Sequence, residues 1–400
     1  MTISSKKRLA QDYFEKHLTR FIAWRHDLHA HPETAFEEYR TAAFVAAQLK
    51  SFGLEVTEGL AKTGVVAVLR ASQEAHKRIG LRADLDALPM TEEATDRPHC
   101  STHDGKMHAC GHDGHTIMLL AAAEYLSFNP LAHTEVVFIF QPAEENVAGG
   151  KVMVEEGLFE RFPVDQVFGL HNLPNLPFGH IAARVGPQMA SADMFSIRLS
   201  GQGGHAAWPQ HCDDVILLGS HLVTQAQALV SRMTDPLQAA VLSVTQFHSG
   251  ESDNVLPSTV TVRGTVRALD EQVRAKIETQ LEALAHALAQ VHGVELEWQY
   301  ERRYTATVNE AQATTYAMDC ATELWGASSV DRQPEPLMGA EDFGWMLRAK
   351  AGCYALLGAG SSPMLHHPHY DFNDALIPLG ASYWVKLAQG LSKGLSEKSE

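Results

Sequence analysis

The 400-residue chain has no apolar run of membrane-spanning length, few cysteines and a deficit of positive charge. The first absence excludes a helical membrane span. The segment Met1 to Leu18 carries early lysines with no continuous apolar stretch after them, so a cytoplasmic location is expected rather than secretion. The five cysteines, Cys100, Cys110, Cys212, Cys320 and Cys353, are odd in number, scattered and without a C-x-x-C pair. A disulfide framework is thereby excluded, and Cys110 is left for other chemistry. With 32 basic against 48 acidic residues the formal charge is −16. Such a field repels phosphate backbones and anionic lipid, no basic patch interrupts it, and neither nucleic acid nor membrane is expected as a partner.

What is present is a sizeable core: 45% apolar and 20% charged residues suit a soluble globular chain, and the length favours two domains. Met107 to His115 places a thiol, three imidazoles and a carboxylate in nine residues, just before an apolar run that begins at Ile117. Cys110 and His112 are ligand types that zinc and neighbouring divalent metals accept. Two ligands make no site, and a polar loop capping a helix through Asp113 is the competing reading. Upstream, a helical pattern over Gln11–Leu49 breaks at Pro32, and strands are expected at Val65–Leu69 and Arg78–Leu85. The second of these strands runs into Asp84 and Asp86, which fit either a metal site or a turn.

Downstream, Thr116–Leu126 reads as a helix, and Glu135–Phe140 as a buried parallel strand ending at the adjacent carboxylates Glu144 and Glu145. Two such carboxylates in a dry site need a cation, a proton or water. Val167–Leu170 is a further strand, running straight into His171. Glu144, Glu145 and His171 thus follow strand ends, the edge of an open α/β sheet where ligands bind. A late strand, Cys353–Leu357, is followed by His366, His367 and His369, and an acidic pair, Glu341 and Asp342, precedes it.

Between these parts the pattern changes near Met189. Strand Met194–Ser200, helix Asp213–Met233, strands Ala240–Phe247 and Thr259–Ala268, a helix capped by Asp270 and a strand from Val294 to Tyr300 follow in the order βαββαβ. This is a ferredoxin-like unit, inserted over 190–303 into a domain formed by 1–189 and 304–400. Its Gly-rich turn presents His205, which could donate a hydrogen bond to a substrate oxygen or face water. Asn254 and Arg267 raise the same pair of readings, Arg267 as a partner for a substrate carboxylate.

The motifs HDLHAHPE from His26, LRADLDALP from Leu81, MHACGHDGH from Met107, QPAEE from Gln141, Leu170-His171, GGHAAWP, Asn254-Val255-Leu256-Pro257, Glu341-Asp342-Phe343 and His366 to Asp374 run nearly end to end. Together they resemble the aminoacylase/carboxypeptidase family of di-metal amidohydrolases, in particular its branch of hippurate hydrolase and auxin-conjugate hydrolases. The resemblance implies an α/β catalytic domain, with a mostly parallel mixed sheet flanked by helices, and the βαββαβ insertion as a lid able to form a homodimer. It implies two divalent metal ions (zinc, manganese, nickel or cobalt) on Cys110, His112, Glu145, His171 and His366, the last preferred to His367 for the leucine-histidine spacing before proline, with Glu144 as general base. His205 is then a catalytic donor, in its own subunit or a partner's, and Asn254 and Arg267 bind substrate. Asp86, Asp113 and Glu341 are expected as supporting groups around the ligands, and His115 with Asp113 to orient them or cap the helix. The activity implied is cleavage of N-acyl amino acids to a carboxylic acid and a free amino acid. Two alternatives stand beside it: a metallo-carboxypeptidase or dipeptidase, and a non-catalytic metal-storing or thiol-sensing protein, for which Glu144 would be dispensable.

Overall fold

The run Val136–Phe140 is apolar on both faces, and such a strand is stable only where helices cover both sides of its sheet. The computed structural model, which describes residues 3–94 and 96–390, places it in the interior of a mixed sheet. Among the described residues eight strands follow the order Glu55–Leu60, Gly64–Leu69, Thr134–Gln141, Lys77–Asp84, Gln166–Pro174, Gly352–Gly360, Ile181–Ala182 and Val330–Asp331. The four from Thr134–Gln141 to Gly352–Gly360 are parallel, with antiparallel pairings on either side. Register is what builds the site. Asp84 pairs with Gln141, Arg82 with Gly169, and Leu356 with His171, so the strands release the chain at one edge.

Helix His112–Phe128 is buried from His112 to Leu126, as a helix apolar on all sides must be. It packs against Ile3–Ala30 and Ile377–Gln389. Three local expectations change. The helix starts at His112 rather than Thr116, and Gly111, at φ +94°, holds the N-cap position in place of Asp113. The second helix starts at Tyr39, not near Pro32, because the Glu33 carboxylate accepts the N–H groups of Arg40 and Thr41 and fixes its first turn there. Strand Glu55–Leu60 was not foreseen: it is polar, half-exposed and lies at the sheet edge, where no apolar pattern is required.

The chain divides into two compact units. The larger draws on 1–188, 308–335 and 342–400, the smaller on Met189–Thr307 and Pro336–Glu341. The short return of Pro336–Glu341 differs from the boundary expected at 304. It follows from backbone bonds, since the Ala190 N–H donates to the carbonyls of Leu337 and Gly339. The smaller unit is an antiparallel sheet in the order Ala240–His248, Thr259–Ala268, Ala192–Ser200, Glu295–Tyr304, with helices Val215–Ser231 and Glu271–His292 packed on it. Its own core includes Phe195, Ile197, Leu222, Val262, Ile277 and Leu281. Asp270 accepts the N–H groups of Gln272 and Val273, and Gly293 ends the same helix at φ +68°. Among the described residues no helix is long and apolar enough to cross a membrane.

Candidate metal centre

Cys110 and His112 flank Gly111, whose left-handed φ turns the chain into the helix. A methyl group at Gly111 would meet Asn172 Oδ1 at 2.4 Å, so only glycine lets the loop close over the strand end that carries His171. Cys110 Sγ then lies 3.3 Å from His171 Nε2. Two groups of ligand atoms, each gathered within 4.8 Å, share that sulfur: Cys110 with His112 and His171, and Cys110 with Glu145 and His366. Glu145 Oε1 lies 3.8 Å from His112 Nε2 and 3.4 Å from His366 Nε2. The five side chains named as ligands from the sequence therefore converge. His366, at φ +64°, is aimed by a backbone conformation uncommon for a non-glycine residue, and its N–H is held by the Ala109 carbonyl. His367 turns away, its Nδ1 accepting the His369 N–H.

Both inner imidazoles have their tautomers set from behind. His112 Nδ1 lies 2.9 Å from the Asp86 carbonyl oxygen and His171 Nδ1 2.7 Å from that of Asn172, so in the neutral, ligating form each ring carries its proton on Nδ1 and turns Nε2 to the cluster. Asp86 also accepts the Glu145 N–H at 3.0 Å, so one residue orients two candidate ligands. Asp113 does not touch them. Its carboxylate takes His29 Nδ1 at 2.8 Å and Arg25 Nη1 at 3.4 Å, supporting the helix start instead. Glu341 is buried within the smaller unit.

His115, expected as a supporting group, opens a second layer of which sequence reasoning passed over Arg82, Asn172 and Tyr370. His115 lies 2.6 Å from Asp84 and 2.7 Å from Asn172, whose amide donates to the Tyr370 hydroxyl. Fully buried Arg82 bonds Asp84, Gln141 and Asp342 at 2.7, 2.8 and 3.1 Å. The Asp342 N–H reaches Glu144 Oε1 at 3.4 Å. A buried arginine among buried acids was the available signal, because such a charge must be paired.

The electrostatics call for a cation. Burial, then the charges of Glu145, Glu144 and Asp84, push the Cys110 thiol well above its ordinary value. Burial alone would lower His112, but Asp84, Asp86 and Glu145 raise it to about 10. Burial would raise Glu145, yet His366 and His112 hold it below the usual glutamate value. His171 is driven well below the usual histidine value by burial and by His115. Buried His112 Nε2 and Glu145 Oε1 have no hydrogen-bond partner. One sulfur, three imidazoles and a carboxylate, with polar atoms orphaned at their centre, fit divalent ions of borderline softness.

Within the smaller unit His205 is exposed at the tip of its turn. Its Nδ1 accepts the Ala207 N–H at 3.1 Å, so Nε2 carries the proton of the neutral ring. The Asn254 carbonyl accepts the Ala206 N–H and holds that turn. Arg267 is half-buried and donates to Thr265 and to the Val266 carbonyl.

Residues 80–390 match the profile of Peptidase family M20/M25/M40. Hippurate hydrolase of Campylobacter jejuni is 41% identical over 367 residues, covering 91% of this chain and 94% of that protein. N-acetyldiaminopimelate deacetylase of Streptococcus sanguinis is 36% identical over 362 residues, covering 90% and 95%. Among solved structures the YXEP protein of Bacillus subtilis, described as a dinuclear metal-binding peptidase from the M20 family, superposes with a TM-score of 0.81 at 30% identity, over 94% of this chain and 98% of that one.

Proposed function

Because the chain belongs to Peptidase family M20/M25/M40, we propose that it is a metal-dependent amidohydrolase that cleaves N-acyl amino acids to a carboxylic acid and a free amino acid. The observation that carries the proposal is the pair of ligand groups sharing Cys110, with Glu144 adjoining Glu145 and in ligand reach of it and His112. Cys110, His112, Glu145, His171 and His366 would hold two divalent ions. When bound, such ions polarise an amide carbonyl and lower the pKa of water to roughly 7. The donor set suits zinc, cobalt or nickel, and manganese less well.

Glu144 takes the proton of the attacking water and delivers it to the leaving nitrogen. Glu145 stays committed to the cluster, so the neighbours divide the work. His205, of this chain or of a partner subunit, donates through Nε2–H to the carbonyl oxygen as its charge grows, a contribution typically worth about 2.7 to 4 kcal/mol. Arg267 and Asn254 bind the substrate's amino-acid part. The smaller unit acts as lid and, through the edge strands of its sheet, as a homodimer contact. A reducing cytoplasm, which keeps the Cys110 thiol available, is the proposed setting.

The test is metal-reconstituted protein incubated with N-benzoyl, N-acetyl and indole-acetyl amino acids beside dipeptides, with released amine measured. Preferred turnover of dipeptides replaces the proposal with a peptidase. Glu144→Gln should keep its metal and lose at least ~10² in turnover; near-normal activity removes Glu144 as the base, whereas no turnover of any substrate by the wild type leaves the metal-storing reading.

A further inference from the structure

Glu38 is fully buried and precedes helix Tyr39–Ser51, yet as its N-cap residue it makes no side-chain capping bond. Glu33 has taken over that task, through the N–H groups of Arg40 and Thr41. The freed Glu38 carboxylate reaches elsewhere. Its Oε1 accepts the Ala143 N–H at 2.9 Å and the Phe36 N–H at 3.0 Å, and its Oε2 accepts the Thr63 hydroxyl. Ala143 is the residue immediately before Glu144.

That residue needs holding. Ala143 lies at φ +56° and Ala148 at φ +54°, so the single helical turn Glu144–Val147 is bracketed by two left-handed alanines. Non-glycine residues in this region are costly and persist only where their surroundings over-determine them. Phe36, the other backbone donor to Glu38, is left-handed as well, at φ +60°. One dry carboxylate thus ties together two strained backbone positions and the Thr63 loop. Burial, with Asp86 adding to it, raises the Glu38 carboxyl to about 7, against the pull of Thr63 and of the Ala143 N–H.

We propose that Glu38 is a positioning residue: it pins the Ala143 amide and thereby fixes the turn from which Glu144 projects toward the reacting water. The inference rests on Glu144 acting as the base. A misplacement of about 1 Å at a reacting group can cost about 10² in rate, which sets the scale of the effect.

The experiment uses full-length, metal-loaded Glu38→Ala and Glu38→Gln, read by steady-state kinetics, metal content and backbone hydrogen exchange over residues 141–149. Removing the acceptor in Glu38→Ala should speed exchange in that segment and lower kcat by about tenfold to hundredfold, with KM and metal content little changed. Glutamine keeps one oxygen for the two N–H groups and an amide to donate to Thr63, so Glu38→Gln should restore both exchange and kcat. Unchanged exchange in Glu38→Ala overturns the proposal, as does a Glu38→Gln variant as impaired as Glu38→Ala, or a loss of kcat in proportion to lost metal. Should Glu38→Ala fail to fold, Glu38→Asp, which withdraws the acceptor by one methylene, takes its place with the same readouts. An active Glu144→Gln together with loosened exchange in Glu38→Ala would overturn the base assignment while leaving Glu38's hold on the turn intact.

Discussion

His29 shows how a buried charge is tolerated near the candidate centre without belonging to it. Its ring is fully buried, with Nδ1 2.8 Å from Asp113 and Nε2 3.5 Å from Glu92. Burial alone would lower its pKa, but Asp113 and Glu92 raise it to about 9 in spite of Arg25. Burial opposes ionised Asp113 too, and His29 with Arg25 overcomes this and holds it below the usual aspartate value. A raised folded-state pKa means that the His29 contribution is complete below the unfolded value of about 6.5 and is lost as pH climbs through 9. A depressed pKa means that the Asp113 contribution is complete above about 3.8 and is lost on acidification. Both are complete between roughly pH 4 and 6.5. Urea melts of wild type and His29→Gln between pH 6 and 9 should converge as pH rises, the wild-type advantage shrinking by a few kcal/mol at most. Parallel stability curves would mean that His29 is neutral in the folded protein.

At the scale of elements, the turn after strand Thr134–Gln141 depends on close backbone approach. A methyl group on Gly149 would stand 1.9 Å from the Pro142 carbonyl oxygen, while the Gly149 N–H bonds the Ala143 carbonyl at 2.9 Å. Backbone cannot yield as a flexible side chain can, so Gly149→Ala should displace the Glu144 turn, lowering kcat at least about tenfold and stability by about 1–3 kcal/mol. Wild-type kinetics in that variant would show the turn to be softer than its geometry implies. The positions of Cys110, His112, Glu144, Glu145 and His171 were legible in the chain, because each follows an apolar strand or precedes an apolar helix and is chemically distinct from it. The inserted βαββαβ order was legible for a related reason, since its strands bury one face and alternate. The supports were not. Arg82 meets Asp342 across 260 residues and Arg25 meets Asp374 across 349, and no local period encodes such pairings. Glu38 was hidden differently: with the second helix expected from Pro32 it lay inside a helical pattern, and only the structure starts that helix at Tyr39 with Glu33 on its first N–H groups.

For the molecule as a whole, the candidate ligands issue from segments far apart in the chain, and folding of the larger unit is what gathers them. An ion held by them binds the folded larger unit and not the unfolded chain, so it stabilises that unit by mass action. The gain is about 2.7 kcal/mol at a hundredfold excess over Kd. For a unit of this size that corresponds to a Tm rise of several degrees. The smaller unit has a separate core and a buried Arg274–Asp193 pair, with Arg274 Nε 2.9 Å from Asp193 Oδ2 and the Tyr300 hydroxyl on the same oxygen. Its unfolding should not respond. Calorimetry of chelator-treated protein should therefore show the larger unit's transition falling and zinc or cobalt restoring it. Magnesium, which favours oxygen ligands, should not substitute. Cys110 is common to both ligand groups, so Cys110→Ala should abolish most of the metal-dependent shift and reduce bound metal at both positions. Had each ion an independent set of ligands, that variant would keep one ion per chain and about half of the shift, and the shared-thiolate arrangement would have to be abandoned.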